Sequence, residues 1–353
     1  MNDSEINDCR TEADFRVITF SSYKKTIVVK QLLNSLISSK IEPACNWAAE
    51  LICAGHYAEV WEVILGFLGK YIHIGNPKLP IYIEMRFNNF KEILMTGYTD
   101  DQLGMRNNDK IRKLFAEIIS VLCFSRKKHG FECVKIKKTE EFDITQMTSK
   151  FKAPNINYAS TSFMSEDPKE LFMAVNEFAY HISPESKNIV SACYWIEWII
   201  EIESIYKNRK EKCSCERREF APVNEKYQMD VIWIIWDVLL KSCKKTGGPL
   251  TNKIMGSLLN IFSIKYSGSV KKKRRYLLYF AVSLLTEHIN YNIEMIENKA
   301  EIDIICSKIG LIYKNIKRNE VKPATDYLFN GVERSNREKT IEKLEIMKKI
   351  NAI

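Results

Sequence analysis

The side chains that could do chemistry are few, and their spacing argues against most reactions. The chain has five histidines: His56, His73, His129, His181 and His288. No two lie four residues apart, so no pair of imidazoles can share a metal from one helix face. Cys213-Ser214-Cys215 offers two thiols, but with one residue between them, tighter than a zinc hook, and no second Cys/His pair has hook spacing. A zinc site would need Cys193 or Cys243 to fold back onto them. Gly247-Gly248-Pro249-Leu250-Thr251-Asn252-Lys253 lacks the phosphate-loop spacing and a preceding strand, and Pro249 has no amide to offer a phosphate. It reads as a helix stop and restart. Gly66 and Gly69 lie inside a helix and allow close packing. There is no Gly-x-Ser-x-Gly turn. Carboxylates at helical spacing, Glu197 with Glu201 and Glu338 with Glu342, read as solvated faces or cap partners. No catalytic residue, no metal site and no cofactor are expected.

Binding is the better prospect. Net charge is +9, and it is unevenly spread. Residues 207–275 hold 17 Lys/Arg against 6 Asp/Glu, whereas residues 151–206 hold 3 against 8. A local positive field of this size suits a polyanion, most obviously nucleic acid bound without sequence preference. Its centre is Lys271-Lys272-Lys273-Arg274-Arg275, set directly before the apolar run Tyr276 to Leu285. Five adjacent cations repel one another, and they crowd the positive end of a helix dipole. Phosphates would turn both costs into attraction. Arg209, Lys210, Lys212, Arg217 and Arg218 could add phosphate contacts from a charged loop. Arg126-Lys127-Lys128 with Lys135, Lys137 and Lys138 form a weaker basic cluster. Tyr266, Tyr276 and Tyr279 could stack on bases or serve the core. A competing reading is internal: in it the basic segment faces the acidic one before it.

The elements that must position these residues are helical almost throughout. Apolar periodicity marks helices over Lys30 to Leu36, Ala44 to Cys53, Glu59 to Ile72, Leu79 to Met95 and Asp109 to Phe124, the last capped by Asn108 or Asp109. Further helices start at Asp167-Pro168, and run over Glu185 to Lys207, Asn224 to Lys245, Leu250 to Ile264, Arg275 to Asn290, Glu294 to Asn315 and Glu333 to Ile350. Phe131 to Lys137 alternates weakly, which predicts a short strand or hairpin near residues 131–145. The expected fold is therefore all-α, with residues 1–25 flexible, a helical module over 26–154, a linker at 155–165 and a second module over 166–353. Trp47, Trp61, Trp195, Trp198, Trp233 and Trp236 fall in helix interiors and read as core anchors. The stretch Ala44 to Ile52 echoes Ala192 to Ile200, each with Trp two residues after Cys.

Apolar residues are 46 % of the 353, enough for a sizeable core, and Gly (13) and Pro (9) are scarce, which disfavours a loop-rich β chain. The ten cysteines sit mostly in apolar runs and read as reduced, buried thiols. The polar, acidic start is no signal peptide, and no apolar run is long enough to span a bilayer. A soluble intracellular protein is expected.

The run Ala44-Cys45-Asn46-Trp47-Ala48-Ala49-Glu50-Leu51-Ile52-Cys53-Ala54-Gly55, then Ile64 to Phe67 and Ile72-His73-Ile74-Gly75-Asn76-Pro77, resembles the helical collar of clamp-loader-related ATPases. That resemblance covers about a tenth of the chain and implies an oligomerisation collar, without an ATPase module or phosphate loop. The Lys/Ile/Asn-rich composition and helices such as Tyr194-Trp195-Ile196-Glu197-Trp198 resemble proteins of large nucleocytoplasmic DNA viruses. This implies a place in a virus factory in host cytoplasm or nucleus, or in the virion. Two functions follow as expectations. One is a non-catalytic scaffold associated with nucleic acid, of the replication or recombination accessory type, with protein partners or copies of itself on its helical faces. The other is a minor capsid or virion assembly protein.

Overall fold

A computed structural model describes residues 4–99, 101–136, 142, 148–211 and 213–322. The fold is all-α, and no strand or sheet occurs among the described residues. Twelve helices are described: α1 Lys25–Ile37, α2 Ile41–Cys53, α3 Tyr57–Phe67, α4 Leu79–Met95, α5 Asp109–Phe124, α6 Phe172–Ile182, α7 Ile189–Asn208, α8 Ile232–Thr246, α9 Pro249–Phe262, the single turn α10 Val270–Lys273, α11 Arg275–Thr286 and α12 Lys299–Lys317. No described helix is long and apolar enough to cross a membrane.

Local chemistry explains several boundaries. Asn108 Oδ1 accepts from the Lys110 and Ile111 amides and so starts α5. Asn188 caps α7 the same way through Ser191. Pro80 and Pro249 sit in first turns, where a missing amide costs nothing. The helix expected through Ile72 changes at Leu68 into a π turn, Leu68–Ile72, and ends at His73, whose φ of 48° lies in the left-handed region. Gly69 sits in that π turn. A Cβ there would lie 2.9 Å from the Tyr276 carbonyl carbon, so α11 can approach only because the side chain is absent. Gly69→Ala should therefore cost about 1–3 kcal/mol, read from chemical denaturation midpoints. Gly66, by contrast, meets nothing within 4 Å, so Gly66→Ala serves as the control.

Three sequence-based expectations give way. First, Phe131–Ile136, the described part of the expected hairpin, forms no strand. The backbone just before it is drawn elsewhere: Gly130 donates to the Lys70 carbonyl (2.7 Å) and Lys128 to that of Ile72 (3.2 Å). Most of residues 137–147 lies outside the described residues. Second, the described part of the N-terminus is fastened. Ile6, Phe15 and Phe20 are buried, Arg112 grips Ser4 (2.9 Å), and the buried Glu50 carboxylate accepts from Thr19 and Ser21. Third, residues 155–165 are no free linker. Ala159 is buried and donates to Asn176 on α6, which in turn donates to the Asn155 carbonyl.

Nor do the two expected modules stay apart. One hydrophobic cluster joins both halves. α12 packs on α2 and α5, α9 on α4, and α11 on the π turn after α3. Each fully buried aliphatic or aromatic side chain contributes on the order of 1.5–3 kcal/mol, so this shared core holds the chain as one unit. The tryptophans act as anchors within it: Trp61, Trp195, Trp198, Trp233 and Trp236 are buried, and Trp47 packs half-buried against Tyr23. Trp47 on α2 and Trp195 on α7 thus differ in burial, so the sequence echo does not extend to packing.

Candidate nucleic-acid interface

The basic run is placed by α10 and the start of α11, which lie against α7. Its five cations have different fates. Lys271 is buried, and its ammonium bonds both Asp230 oxygens at 2.8 Å and the Glu203 carboxylate. Tyr266 OH donates to the same Asp230 at 2.8 Å. Lys272 meets Glu201 at 3.2 Å and stays partly exposed. Arg274 is buried: it pairs with Glu62 of α3 and donates to the carbonyls of Phe262 (2.7 Å) and Ile264 (2.5 Å). Arg275 pairs with Glu197 at 2.9 Å and touches Cys133, while Tyr279 OH donates to Glu197 at 2.7 Å. Only Lys273 is exposed without an ion-pair partner among the described residues.

The basic segment therefore faces the acidic one. Glu197, Glu201 and Glu203 on α7 are the carboxylates that residues 271–275 neutralise, with Glu62 and Asp230 completing the set. This corrects the expectation that Lys271, Arg274 and Arg275 are free for phosphate. The physical reason is proximity: α10 and α11 lie on α7, so intramolecular pairing replaces the repulsion read from sequence. It corrects the carboxylate reading too, since Glu197 is no solvated face. Burial pushes the Glu197 and Glu203 carboxyls above their ordinary range, and Asp230 pushes Glu203 further, against the pull of the cations.

The charged loop divides in the same way. Arg218 is buried and bonds Asp167 (2.5 Å) and the carbonyls of Ser162 and Glu216 (2.9 Å each). It is a structural bolt and no phosphate ligand. Arg217 is exposed but engaged by Gln228 (2.7 Å) and Glu225 (3.4 Å). Arg209 and Lys210 are exposed and unpaired among the described residues, and Lys212 lies outside them. The secondary cluster is similarly spent: Lys128 pairs with Glu287 at 2.7 Å, Arg126 reaches Glu297 at 3.9 Å, and Lys127 donates to Ser39. Lys135 is exposed, while Lys137 and Lys138 lie outside the described residues. Tyr266 and Tyr279 are core residues, and Tyr276 packs half-buried beneath Lys70.

Exposed and without an ion pair among the described residues are Lys207, Arg209 and Lys210 at the C-terminal end of α7 and Lys273 on α10, whose neighbours Lys271 and Lys272 reach α7. Lys207 opens the basic segment in the sequence but was not singled out there as a phosphate ligand.

Two other arrangements invite chemistry. His181 Nδ1 lies 3.0 Å from Ser186 Oγ, and its Nε2 lies 3.4 Å from Glu177. A hydroxyl, an imidazole and a carboxylate in series are the elements of a nucleophile relay. Here they close the turn between α6 and α7. Glu177 also accepts the Lys152 and Ala153 amides (2.9 Å each), and the Ser186, Lys187 and Asn188 amides all donate to carbonyls of the same turn. Hydrogen bonds from His181 and the two amides outweigh burial and hold the Glu177 carboxyl below its usual range. Cys213 and Cys215 are free thiols, pushed up by burial to about 11 and about 12. Among the described residues no group of three or more His, Cys, Asp or Glu is placed to hold a metal ion.

No protein-family model, curated protein or solved structure matches the chain.

The stretch that resembles a clamp-loader collar is largely internal. Ala44, Cys45, Ala48, Ala49, Leu51, Ile52 and Cys53 of α2 are buried, as is most of α3, and α2 packs on α1, α5 and α12.

Proposed function

We propose that this chain is a non-catalytic helical scaffold that associates with nucleic acid through the rim Lys207, Arg209, Lys210 and Lys273. The observation that carries the reading is that these four cations stay exposed and unpaired beside a joint where the neighbouring cations are neutralised. Four phosphate contacts make a modest, sequence-independent site, with dissociation constants of roughly 10⁻⁴–10⁻⁶ M at physiological salt. Contacts of this kind would suit an accessory protein of replication or recombination, and the compositional resemblance points to a large DNA virus. The second reading, a virion assembly protein, draws support from the exposed apolar residues Val17, Tyr23 and Ile27 at the entry to α1.

The test is binding to duplex DNA at salt from about 50 to 200 mM. With four contacts, log K should fall against log salt with a slope of about −3 to −4. Changing Lys207, Arg209, Lys210 and Lys273 together to Glu should weaken binding at least tenfold without altering the melting temperature. Binding that survives the four changes, or no binding by the unaltered chain, would overturn the reading.

A further inference from the structure

His73 sits where the π turn after α3 meets α11, and its backbone is strained there. Its φ of 48° and ψ of −139° describe a conformation that residues with a side chain rarely adopt, so the surroundings must hold it. The ring is 1 % exposed and stacks on Phe280 of α11. The Tyr279 backbone accepts from the ring, and Nε2 is buried with no partner. An incoming proton must therefore go to Nε2, and the N–H so formed finds no acceptor in place.

The cover over this edge of the ring is thin. A Cβ at Gly130 would lie 3.3 Å from His73 Cδ2, the ring carbon bonded to Nε2. Of residues 126–136 only Gly130 is buried. Two backbone bonds fix the stretch to the π turn, from Gly130 to the Lys70 carbonyl and from Lys128 to that of Ile72. Side chains add Lys128 with Glu287 (2.7 Å), Lys70 with Glu132 (3.2 Å), the His129 ring on Tyr71 (5.2 Å) and Arg275 with Cys133. Few buried residues and ion pairs open to solvent mark a stretch that detaches locally, before the fold as a whole.

The charges that bear on the ring come from both sides. Glu287, just after α11, favours the imidazolium, whereas Lys128 and His129, on the covering stretch, oppose it. The other ionisable side chains of α11 are engaged elsewhere: Arg275 and the Tyr279 hydroxyl on Glu197, and Tyr276 beneath Lys70.

We propose that His73 is an acid-operated latch: when its ring takes a proton, residues 126–136 lift from the π turn while the helices stay packed. Lifting gives Nε2 access to water, carries Lys128 and His129 away from the imidazolium, leaves Glu287 beside it and lets the His73 backbone relax. It also uncovers the Lys70 and Ile72 carbonyls and frees Cys133 from Arg275. The latch is independent of the nucleic-acid reading.

Hydrogen exchange of the full chain at successive pH values, corrected for the intrinsic rate of each amide, tests this. Protection of the Lys128 and Gly130 amides should fall by about tenfold per pH unit below about pH 6.5, where a solvated histidine begins to bind its proton, while amides of α3 and α11 keep theirs. The magnetic resonance signal of the His73 ring should titrate over the same interval. In His73→Gln the protection of both amides should no longer depend on pH. Should that variant fail to fold, the ring titration and the exchange of the unaltered chain decide. Protection that persists to about pH 4, a pH response that survives in His73→Gln, simultaneous loss from every helix, or a ring that titrates while the two amides stay protected would each overturn the proposal.

Discussion

Lys271→Met should destabilise the protein by about 3–5 kcal/mol at neutral pH, the loss expected when one partner of a buried ion group is removed. The ammonium sits between Glu203 and Asp230, whose side chains are largely sheltered from water. Without it, two carboxylates face each other with the Tyr266 hydroxyl and the Ile232 amide as the remaining donors to Asp230. Glu203 already has its carboxyl raised by burial and by Asp230, and loss of the cation must raise it further. A carboxyl with its folded pKa above the unfolded one stabilises the fold at pH below the unfolded value, and that contribution is lost as pH rises through the folded value. The variant should therefore regain part of its stability on mild acidification. Replacing all three groups at once, Lys271→Met with Glu203→Gln and Asp230→Asn, should cost much less than the single change, since no charge is left stranded. Lys273→Ala, on the exposed neighbour, should stay within about 0.5 kcal/mol of the unaltered protein. Chemical denaturation of the four proteins checks all of this. Equal effects at 271 and 273 would show that Lys271 is not internal. The same numbers bear on DNA binding: a Lys271 variant that fails to bind has lost its fold, whereas a rim variant has lost its ligand contacts.

Acidification from about pH 6.5 to pH 4 should remove about 3 kcal/mol of stability through His73 alone, at 1.36 kcal/mol per pKa unit. Burial holds this imidazole neutral and lowers it from 6.5 to about 4. Glu287 and the Tyr279 backbone, which accepts from the ring, oppose the shift, while Lys128 and His129 reinforce it. The ring stacks on Phe280 at 5.0 Å, and its Nε2 is buried without a hydrogen-bond partner. The folded pKa lies below the unfolded one, so the contribution is complete above about 6.5 and drains away as pH falls toward 4. His73→Gln stays neutral throughout and lacks this term. Denaturation curves of the two proteins at successive pH values should diverge by about 3 kcal/mol over that window. The comparison cancels the carboxylates that titrate nearby, among them Glu177 and Asp8, whose lowered values also drain stability in acid. Parallel curves would mean that His73 titrates as a solvated histidine.

Much of the architecture was legible beforehand, for local reasons. The helix expected over Leu79 to Met95 and that over Asp109 to Phe124 match α4 and α5 residue for residue, because a proline start, an asparagine cap and an apolar 3.6-residue repeat are all short-range signals. The tryptophans read as core anchors for the same reason. The weak alternation at Phe131–Ile136 misled, because the backbone leading into it bonds the π turn, a partner sixty residues away in the chain. The N-terminal residues looked polar and free, yet Arg112 and Glu50 hold them. Arg209, Lys210 and Lys273 were candidates from their cationic stretches, and Lys207 lay within the basic segment, but only their exposure separates these four from their paired neighbours.

By itself the amino-acid sequence determined that this chain is helical, roughly where its helices lie, which tryptophans anchor its core, and that positive charge gathers late in the chain. Only the tertiary structure decided which of those charges are available. Arg274 finds Glu62 across 212 residues of chain, Arg275 finds Glu197 across 78, and Arg218 finds Asp167 across 51. Helix propensity is written within a few neighbouring residues, whereas an ion pair depends on distance in space, which chain folding alone sets.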